Sequence, residues 1–290
     1  MSILENIIVT AAVMFVASLF LWPQIHYARQ TSLCQAAFMG VGGYIAAFLI
    51  SKHGWTWMAA IPAAALVAGL AGALASAVTH RVREDTFAIA TLGVQLIASN
   101  TFIVAEPITG GAAGIFFLPP LFASSSHEVI YLAVVATLAL GFLWYLPRGV
   151  FGRHCRAVGD DAVLYETWGW SAGILKSVLS GLAGMGAGVS GALLVGHLGV
   201  AEPALFSASY SIALVTIAIL VPGKPLIVLP LASIVFAATP ELLRFVGLDA
   251  ARAAYGQQAL FYGLLVLAAF RDRNEERPLP GALSSGVWTS

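Results

Sequence analysis

Charged residues are absent from ten stretches of this chain, and this feature limits the possible folds more than any other. The stretches without Asp, Glu, Lys or Arg are 6–28, 30–51, 57–79, 86–105, 107–127, 129–147, 177–201, 203–223, 225–240 and 253–270. Most are rich in Leu, Ala, Val, Ile and Phe, and a membrane-spanning helix needs about 20 predominantly apolar residues. The sequence therefore predicts an all-α, polytopic transmembrane helical bundle.

The overall composition supports a membrane protein and excludes several other classes. Of the 290 residues, 59% are hydrophobic and 10% are charged, whereas a soluble domain averages about 25% charged residues. Lys and Arg balance Asp and Glu at 14 each. An ordinary soluble enzyme and a disordered protein are therefore excluded, and a nucleic-acid binder would need a clustered basic excess. We expect the lipid bilayer, and no nucleic acid, among the partners.

The stretch 107–127 is an exception among the uncharged intervals because it is rich in turn-forming residues. Unsatisfied backbone groups in lipid cost several kcal/mol each, so this stretch cannot run as one lipid-facing helix. We predict an extramembrane loop, which leaves eight or nine spans. The residues that break the helix are Pro107, Gly110, Gly111, Gly114, Pro119, Pro120 and Ser124 to Ser126.

The number of spans depends on residues 24–51, which mix polar side chains with three closely spaced glycines. If 33–51 crosses the membrane fully, there are nine spans and the N-terminus is outside. If this stretch is a broken or re-entrant helix, there are eight spans and the N-terminus is inside. Polar backbone at membrane depth is tolerated where it lines a cavity, which favours the broken helix.

The basic residues are sorted to one side of the predicted spans. If the spans are counted backwards from the C-terminus, ten of the fourteen Lys and Arg residues fall on the same side of the membrane as the C-terminus. Positive charge marks the cytoplasmic face. We therefore predict that the C-terminus and the loops 79–85 and 148–170 are cytoplasmic. A transmembrane domain over 1–270 is expected to precede a short disordered cytoplasmic tail over 271–290.

The chain carries no motif for catalysis or for a cofactor. Its one Gly-Lys pair, Gly223-Lys224, lacks the glycine and the Ser or Thr of a phosphate-binding loop, and no Cys/His cluster predicts a metal. Ion coupling would need ionisable residues inside spans. The candidates are four glutamates at predicted span ends, interpreted as solvated there, and a histidine interpreted as packed in the protein. They are Glu106, Glu128, Glu202, Glu241 and His197.

Small residues recur at helical spacing in two places. Such ridges let two helices approach closely, either inside the chain or between two subunits, and the sequence leaves both open. One ridge is Ser180, Gly184, Gly188 and Ala192; the other is Gly69, Gly72, Ala73 and Ser76.

The loop 148–170 has an unusual charge order, basic first and then acidic. Asp160-Asp161 predicts a helix start, because Asp is a good N-cap and negative charge is favourable there. A short helix over 162–168 would then end at Gly169, a good C-terminal residue. Composition alone does not decide between this capped helix, parallel to the membrane, and a solvated loop held by its arginines.

Four motifs, which lie in residues 31–44, 84–93, 109–115 and 151–169, resemble those of one family, the branched-chain amino-acid ABC importer permeases. Residues 151–169 resemble the family's cytoplasmic coupling segment, and residues 31–44 resemble its LSLGHAAFFGIGAY stretch. Residues 84–93 and 109–115 resemble its RGDYFAIVTLGF and TGGPNGI motifs, which indicate the M-type subunit. The likeness covers roughly residues 10–270.

The resemblance implies a passive half-channel in the bacterial inner membrane. A second permease subunit, two cytoplasmic ATPases that bind the ATP, and a periplasmic binding protein would complete the machine, so the chain itself would need no cofactor and would not be an enzyme. Coupling to the ATPases would involve Arg153, Arg156, Asp160, Asp161, Glu166 and Gly169. The translocation pathway would be lined by Gln35, Phe38, Gly42, Tyr44, Gln95 and Asn100.

Two departures from the family pattern leave the cargo open. Residues 164–168 are bulkier than the family's AAEAL, and residues 221–225 replace a glycine turn with a stiffer Pro-containing corner. Branched-chain or related amino acids are the first expectation, with urea, amides or other small carboxylates as alternatives. The rival classes are a stand-alone secondary transporter and a structural membrane anchor. The anchor would leave the composition of the 148–170 loop unexplained.

Overall fold

A computed structural model describes residues 3–79, 84–122, 125–221, 225–245, 256–264 and 266–267. Within these residues the regular structure is helical, apart from one isolated bridge between Ile115 and Ala201. Residues 256–264 are also helical. The named α-helices are α1 Ile3–His26, α2 Gln35–His53, α3 Trp57–Thr79, α4 Glu84–Val104, α5 Glu106–Thr109, α6 Ser125–Tyr145, α7 Val150–Asp160, α8 Ala162–Thr167, α9 Ala172–Leu198, α10 Ala208–Ile219 and α11 Pro225–Phe245.

Among the described helices, α1, α3, α4, α6 and α9 contain windows that are long and apolar enough to cross a membrane. α2 and α11 are of comparable length, with 19 and 21 residues. These helices confirm the predicted all-α, polytopic membrane fold. The side of the membrane on which each terminus lies stays a prediction.

α9 lies at the centre of the bundle and packs against α1, α2 and α3. α1 runs antiparallel to it, because Phe20 lies at Gly186 whereas Ala28, further along α1's chain, packs with Leu175 and Leu179. α2 runs parallel to α9, because Gln35 at the start of α2 reaches the carbonyl of Ala183, whereas the later Gly43 lies against Val195, further along α9.

The two small-residue ridges predicted from the sequence pack against each other inside the chain. Gly72 lies against the backbone of Ser180, and Gly184 lies against the backbone of Ala68. The hydroxyl of Ser180 donates a hydrogen bond of 2.9 Å to the carbonyl of Gly72. Small side chains allow this backbone approach, so the ridges form the internal α3–α9 interface.

The prediction that the helix within 33–51 is broken is wrong, and whether that helix crosses the membrane fully stays a prediction. α2 is one continuous helix over Gln35–His53, whereas residues 27–34 between α1 and α2 are not helical. The glycines of α2 do not interrupt it because they provide close contact: Gly40 lies against Phe102, and Gly42 lies against the backbone of Gly188.

A second irregular stretch occurs within the predicted span 203–223. A 3₁₀ turn over Pro203–Phe206 precedes α10, which has 12 residues and is therefore about 18 Å long. The hydrocarbon core of a bilayer is about 30 Å thick, so α10 alone is too short to cross it.

Within the stretch 107–127 that we predicted as a loop, residues 110–122 are irregular, whereas 107–109 belong to α5 and 125–127 to α6. Its chain pairs with the residues that follow α9: the amide of Ile115 donates to the carbonyl of Ala201 (2.9 Å), and the amide of Leu118 donates to that of Gly199 (3.1 Å). Gly110, Gly111 and Gly114 have φ of 75°, 69° and 86°, a region that favours glycine.

Several predictions fall on residues outside the described part of the chain. They are the tail 271–290, residues 80–83 of the loop 79–85, and residues 222–224 of the Pro-containing corner.

Candidate functional site

The first turn of α2 is buried, and its backbone N–H groups are bound by side chains of other helices. Cys34, at the N-cap, makes no side-chain capping bond. Instead, the amide of Ala36 donates to the hydroxyl of Ser211 on α10 (2.7 Å), and that of Ala37 donates to Oε1 of Gln95 on α4 (2.8 Å). The first N–H groups of a helix have no partner within it, so these contacts replace a local cap.

Gln95 is the centre of this polar cluster. Its Oε1 also accepts a hydrogen bond from Ser211 (3.0 Å), and its Nε2 donates to the carbonyl of Phe206 (2.9 Å). One turn earlier on α4, the hydroxyl of Thr91 accepts a bond from the amide of Leu33 (3.0 Å). These contacts join α2, α4 and α10 by polar groups at a fully buried position.

The other predicted pathway residues of α2 line its buried length. The Nε2 of Gln35 donates to the carbonyl of Ala183 (2.9 Å), but its Oε1 has no partner. Phe38 is buried in the core. The hydroxyl of Tyr44 is buried without a partner, and its ring lies 5.0 Å from that of Phe102 and 5.8 Å from that of Phe206.

Asn100 lies apart from this cluster. Its side chain is exposed, and its Nδ2 donates to the carbonyl of Leu96 on the same helix (2.8 Å). Sequence reasoning missed Ser211 and Thr91, although each bonds an amide at or just before the start of α2. A single Ser or Thr in an apolar stretch gives little signal, because its hydroxyl can usually bond its own helix.

The loop 148–170 contains two helices rather than one. α8 begins where predicted: the carboxylate of Asp161 accepts hydrogen bonds from the amides of Val163 (2.9 Å) and Leu164 (3.0 Å). Asp160 is the last residue of α7. Gly169 follows α8 with φ 84°, as expected for a glycine that ends a helix. The helix over Val150–Asp160 was missed because its glycines and arginines give it little apolar length.

α7 is amphipathic and packs on the chain that follows α1. Gly152, Cys155 and Val158 form its buried face. Ala28 lies in the same apolar cluster as Cys155 and Val158. Burial raises the pKa of the Cys155 thiol to about 11, and the neighbouring Arg156 partly opposes this shift.

The predicted coupling residues share one property, which is exposure to solvent. Arg153, Arg156, Asp160, Asp161, Glu166 and Gly169 are all exposed. Beside them, three large apolar side chains of α8 and its C-cap are also exposed: Val163 at 75%, Leu164 at 50% and Trp168 at 65%. The segment therefore offers a surface with both charged and apolar groups to a partner.

Tyr165 fastens α8 to α7. Its ring is buried, and its hydroxyl lies 2.9 Å from Nδ1 of His154 on α7. Burial raises the pKa of the phenol, and the neighbouring Cys155 raises it further. The two short helices are thus held together by one bond between side chains and by their shared apolar cluster.

The interpretation of Glu128 as a solvated residue is wrong. Glu128 is buried, and its Oε1 lies 2.7 Å from Nδ1 of His197 at the C-terminal end of α9. His197 is packed in the protein, as predicted. A buried carboxylate is costly without a partner, so the contact with His197 explains why Glu128 can be buried. Among the described residues, no group of three or more His, Cys, Asp or Glu could hold a metal ion.

Comparison with known proteins identifies a family. The model of a family described as "branched-chain amino acid transport system / permease component" matches residues 3–269. The chain is 27% identical over 236 residues to the high-affinity branched-chain amino acid transport system permease protein LivM of Escherichia coli, and equally so to that of Salmonella typhimurium. It is 28% identical over 150 residues to the uncharacterized protein MG121 of Mycoplasma genitalium.

These similarities do not extend over the whole of the relatives. The match to the two LivM proteins covers 71% of this chain and 56% of theirs, and the match to MG121 covers 46% and 48%. The chain therefore spans little more than half the length of the curated relatives that it matches. No solved structure matches.

Proposed function

Since the chain belongs to the branched-chain amino acid transport permease family, we propose that it is the transmembrane permease subunit of an ATP-driven ABC importer. Its cargo is a small solute delivered by a periplasmic binding protein, and branched-chain or related amino acids are the first choice, because the LivM relatives carry that name. Urea, amides and other small carboxylates are the alternatives.

The observation that carries this proposal is the construction of the α7–α8 segment. It is a pair of short helices, of which α8 is capped by Asp161, and the pair packs on the bundle through one face and exposes charged and apolar groups on the other. A connection between two spans needs none of this, whereas a motor subunit needs a stiff surface on which to push. ATP hydrolysis is then the work of separate subunits.

The rest of the machine follows from the same proposal. A second permease subunit completes the channel, two cytoplasmic ATPases bind α8 and its flanking charges, and the binding protein docks on the opposite side of a bacterial inner membrane. The C-terminus and the 148–170 segment then lie in the cytoplasm, in agreement with the sorting of basic residues.

The proposed pathway runs beside the start of α2. The buried amides of Gln35 and Gln95 lie there, and the aromatic rings around Tyr44 follow along the same helix. Polar groups in a membrane interior are costly, so their presence favours a role in passage of a polar solute.

The test is reconstitution of the permease pair with its ATPases in liposomes. We expect the binding protein to stimulate ATP hydrolysis and uptake of radiolabelled leucine. Asp161→Ala and Glu166→Ala should each reduce both activities by about tenfold, because a misplaced or weakened coupling contact removes about 1.4 kcal/mol from the coupled step. Thr137→Ala is the control, since Thr137 is an exposed polar residue of α6 whose hydroxyl donates only to the carbonyl of Ala133 on the same helix.

Two outcomes would contradict the proposal. If both variants leave stimulation and uptake intact, α8 has no coupling role. If this chain alone supports uptake without ATP or partners, it is a secondary transporter. Competition by unlabelled urea, amides and carboxylates against leucine uptake decides among the cargoes.

A further inference from the structure

The connection between α1 and α2, residues 27–34, is irregular and yet largely buried. Ala28, Gln30, Ser32 and Cys34 are each at most 2% exposed. Arg29 has a φ of 51°, which a residue with a side chain seldom adopts. Connecting segments almost always run over the protein surface, because buried irregular backbone must find partners for its polar groups, so this connection calls for a reason.

One end of the connection touches the proposed coupling segment. Gly159 on α7 approaches the backbone so closely that a Cβ there would come within 2.6 Å of the carbonyl oxygen of Tyr27. Ala28 packs in the apolar cluster that contains Cys155 and Val158. A displacement of α7 would therefore act on residues 27 and 28.

The other end of the connection leads into the first turn of α2. Thr91 holds the amide of Leu33, and Ser211 and Gln95 hold those of Ala36 and Ala37. These are hydrogen bonds between separate helices rather than close-packed apolar contacts. Water can replace such partners when the helices move apart, and an apolar contact has no such substitute.

Several polar atoms beside the connection have no partner at all. They are both side-chain polar atoms of Gln24, Oε1 of Gln30 and Oε1 of Gln35. The backbone carbonyl of Gln24 accepts a bond from the amide of Gln30, so these two residues adjoin. Buried polar groups in native structures are nearly always satisfied, and each exception needs an explanation.

We propose that the α1–α2 connection is the inner gate of the permease, closed in this structure and opened by movement of α7. On opening, the start of α2 separates from α4 and α10, and the amides of Gln24, Gln30 and Gln35 gain water and then the polar solute as partners. This inference rests on the proposed importer function, and it assigns the gate to one segment and its solute contacts to three glutamines.

Cys34 provides a probe inside the gate without any substitution. Its thiol is buried and lies 3.1 Å from the hydroxyl of Ser32. The reconstituted complex is treated with a small charged methanethiosulfonate, first without nucleotide and then with ATP and binding protein. Peptide mass spectrometry measures the modification of Cys34 separately from that of Cys155, the other cysteine of the chain.

We expect labelling of Cys34 to rise about tenfold or more during turnover, because labelling of a buried group follows the population of the open state. The control is Ser190→Cys, which places a thiol at a fully buried position on α9. Labelling at position 190 should stay low in both conditions. A rise at both positions would mean general loosening and would overturn the gate.

The same samples separate this inference from the function on which it rests. Stimulated ATP hydrolysis with no change in Cys34 labelling overturns the gate and leaves the importer function intact. Absence of stimulated hydrolysis and of uptake in the complete complex overturns the importer function, and the gate with it.

A glycine pair tests the contact with α7. Gly159→Ala places a methyl group against the Tyr27 carbonyl, whereas Gly149→Ala, at the N-cap of α7, meets nothing within 4 Å. We expect Gly159→Ala to raise labelling of Cys34 without nucleotide by about threefold or more, as the closed state is weakened. Gly149→Ala should leave it unchanged. Equal labelling in the two variants overturns the link between α7 and the gate.

Discussion

The α3–α9 interface and the start of α2 solve the same problem in opposite ways. At the α3–α9 interface, Gly72, Gly184 and their neighbours bring two backbones into contact, with little polar chemistry beyond the Ser180 bond. At the start of α2, polar side chains hold the helix, and several amides nearby lack partners. The close-packed α3–α9 interface has no substitute for its contacts, whereas the hydrogen bonds at the start of α2 can be exchanged for bonds to water.

The largest expected effect comes from removing the amide at the centre of the polar cluster. Gln95→Leu leaves the amide of Ala37 and the carbonyl of Phe206 without partners, and each buried orphan costs about 1–3 kcal/mol. We expect a loss of about 3 kcal/mol in the unfolding free energy, measured by denaturant titration in detergent.

Asn100→Leu is the matched control for that substitution. Asn100 is on the same helix, but its amide is exposed and bonds its own helix, so a change within about 0.5 kcal/mol is expected. Equal losses in the two variants would contradict the claim that the hydrogen bonds of Gln95 stabilise the start of α2.

The next effect tests the close-packed interface. Gly184→Ala directs a methyl group at the backbone of Ala68, which cannot rotate away, and overpacking costs about 1–3 kcal/mol. We expect a loss of about 2 kcal/mol in the same titration. Gly93→Ala on α4 meets nothing within 4 Å and should be neutral or stabilising by about 0.5–1 kcal/mol. A stable Gly184→Ala protein would show that the interface has room to move.

A smaller effect is expected at the Asp161 cap of α8. It tests whether this cap keeps the coupling segment ordered. Asp161→Ala removes an acceptor from the amides of Val163 and Leu164, and loss of such a cap costs about 1 kcal/mol. Hydrogen exchange of α8 amides should accelerate about fivefold accordingly. Asp160→Ala, at the end of α7, should leave these amides unchanged. Equal protection in both variants would contradict the capping role.

The smallest effect is expected where α8 is fastened to α7. Tyr165→Phe removes the bond to His154 and should cost about 0.5–1 kcal/mol in thermal unfolding of the complex-free protein. Burial raises the pKa of this phenol above 10.0, so the phenol is protonated in the folded state at neutral pH. Its contribution is therefore complete below pH 10 and is lost as the pH rises through the folded-state pKa. A difference that vanishes between pH 7 and pH 9 would contradict this assignment.

Sequence reasoning predicted features that depend on neighbouring residues. The cap at Asp161, the glycine after α8 and the loop over 110–122 follow from local backbone chemistry. It was less successful for α10 and for Glu128. Twelve helical residues preceded by a 3₁₀ turn look like a full span in a hydropathy pattern, and a glutamate at a span end gives no sign of its histidine partner.

The residues predicted to line the translocation pathway also show that the sequence does not determine which side chains are buried. Gln35 was singled out as part of the predicted broken helix and Gln95 as a polar residue within a predicted span, and both lie buried at the start of α2. Asn100 was singled out for the same reason as Gln95, yet it faces outward. A pattern shows that a polar residue is present, but the direction of its side chain depends on which helix packs against which face.

By itself the sequence determined that this chain is a bundle of membrane helices with a charged segment between two of them. Hydrocarbon imposes these features locally, since every span must be apolar and every backbone group must be paired. The tertiary structure alone decided that the glycine ridges meet each other, that Gln95 and Ser211 hold α2, and that α7 touches the α1–α2 connection. Lipid and protein interior are equally apolar, so hydropathy cannot say which faces meet, and shape and long-range hydrogen bonds make that choice.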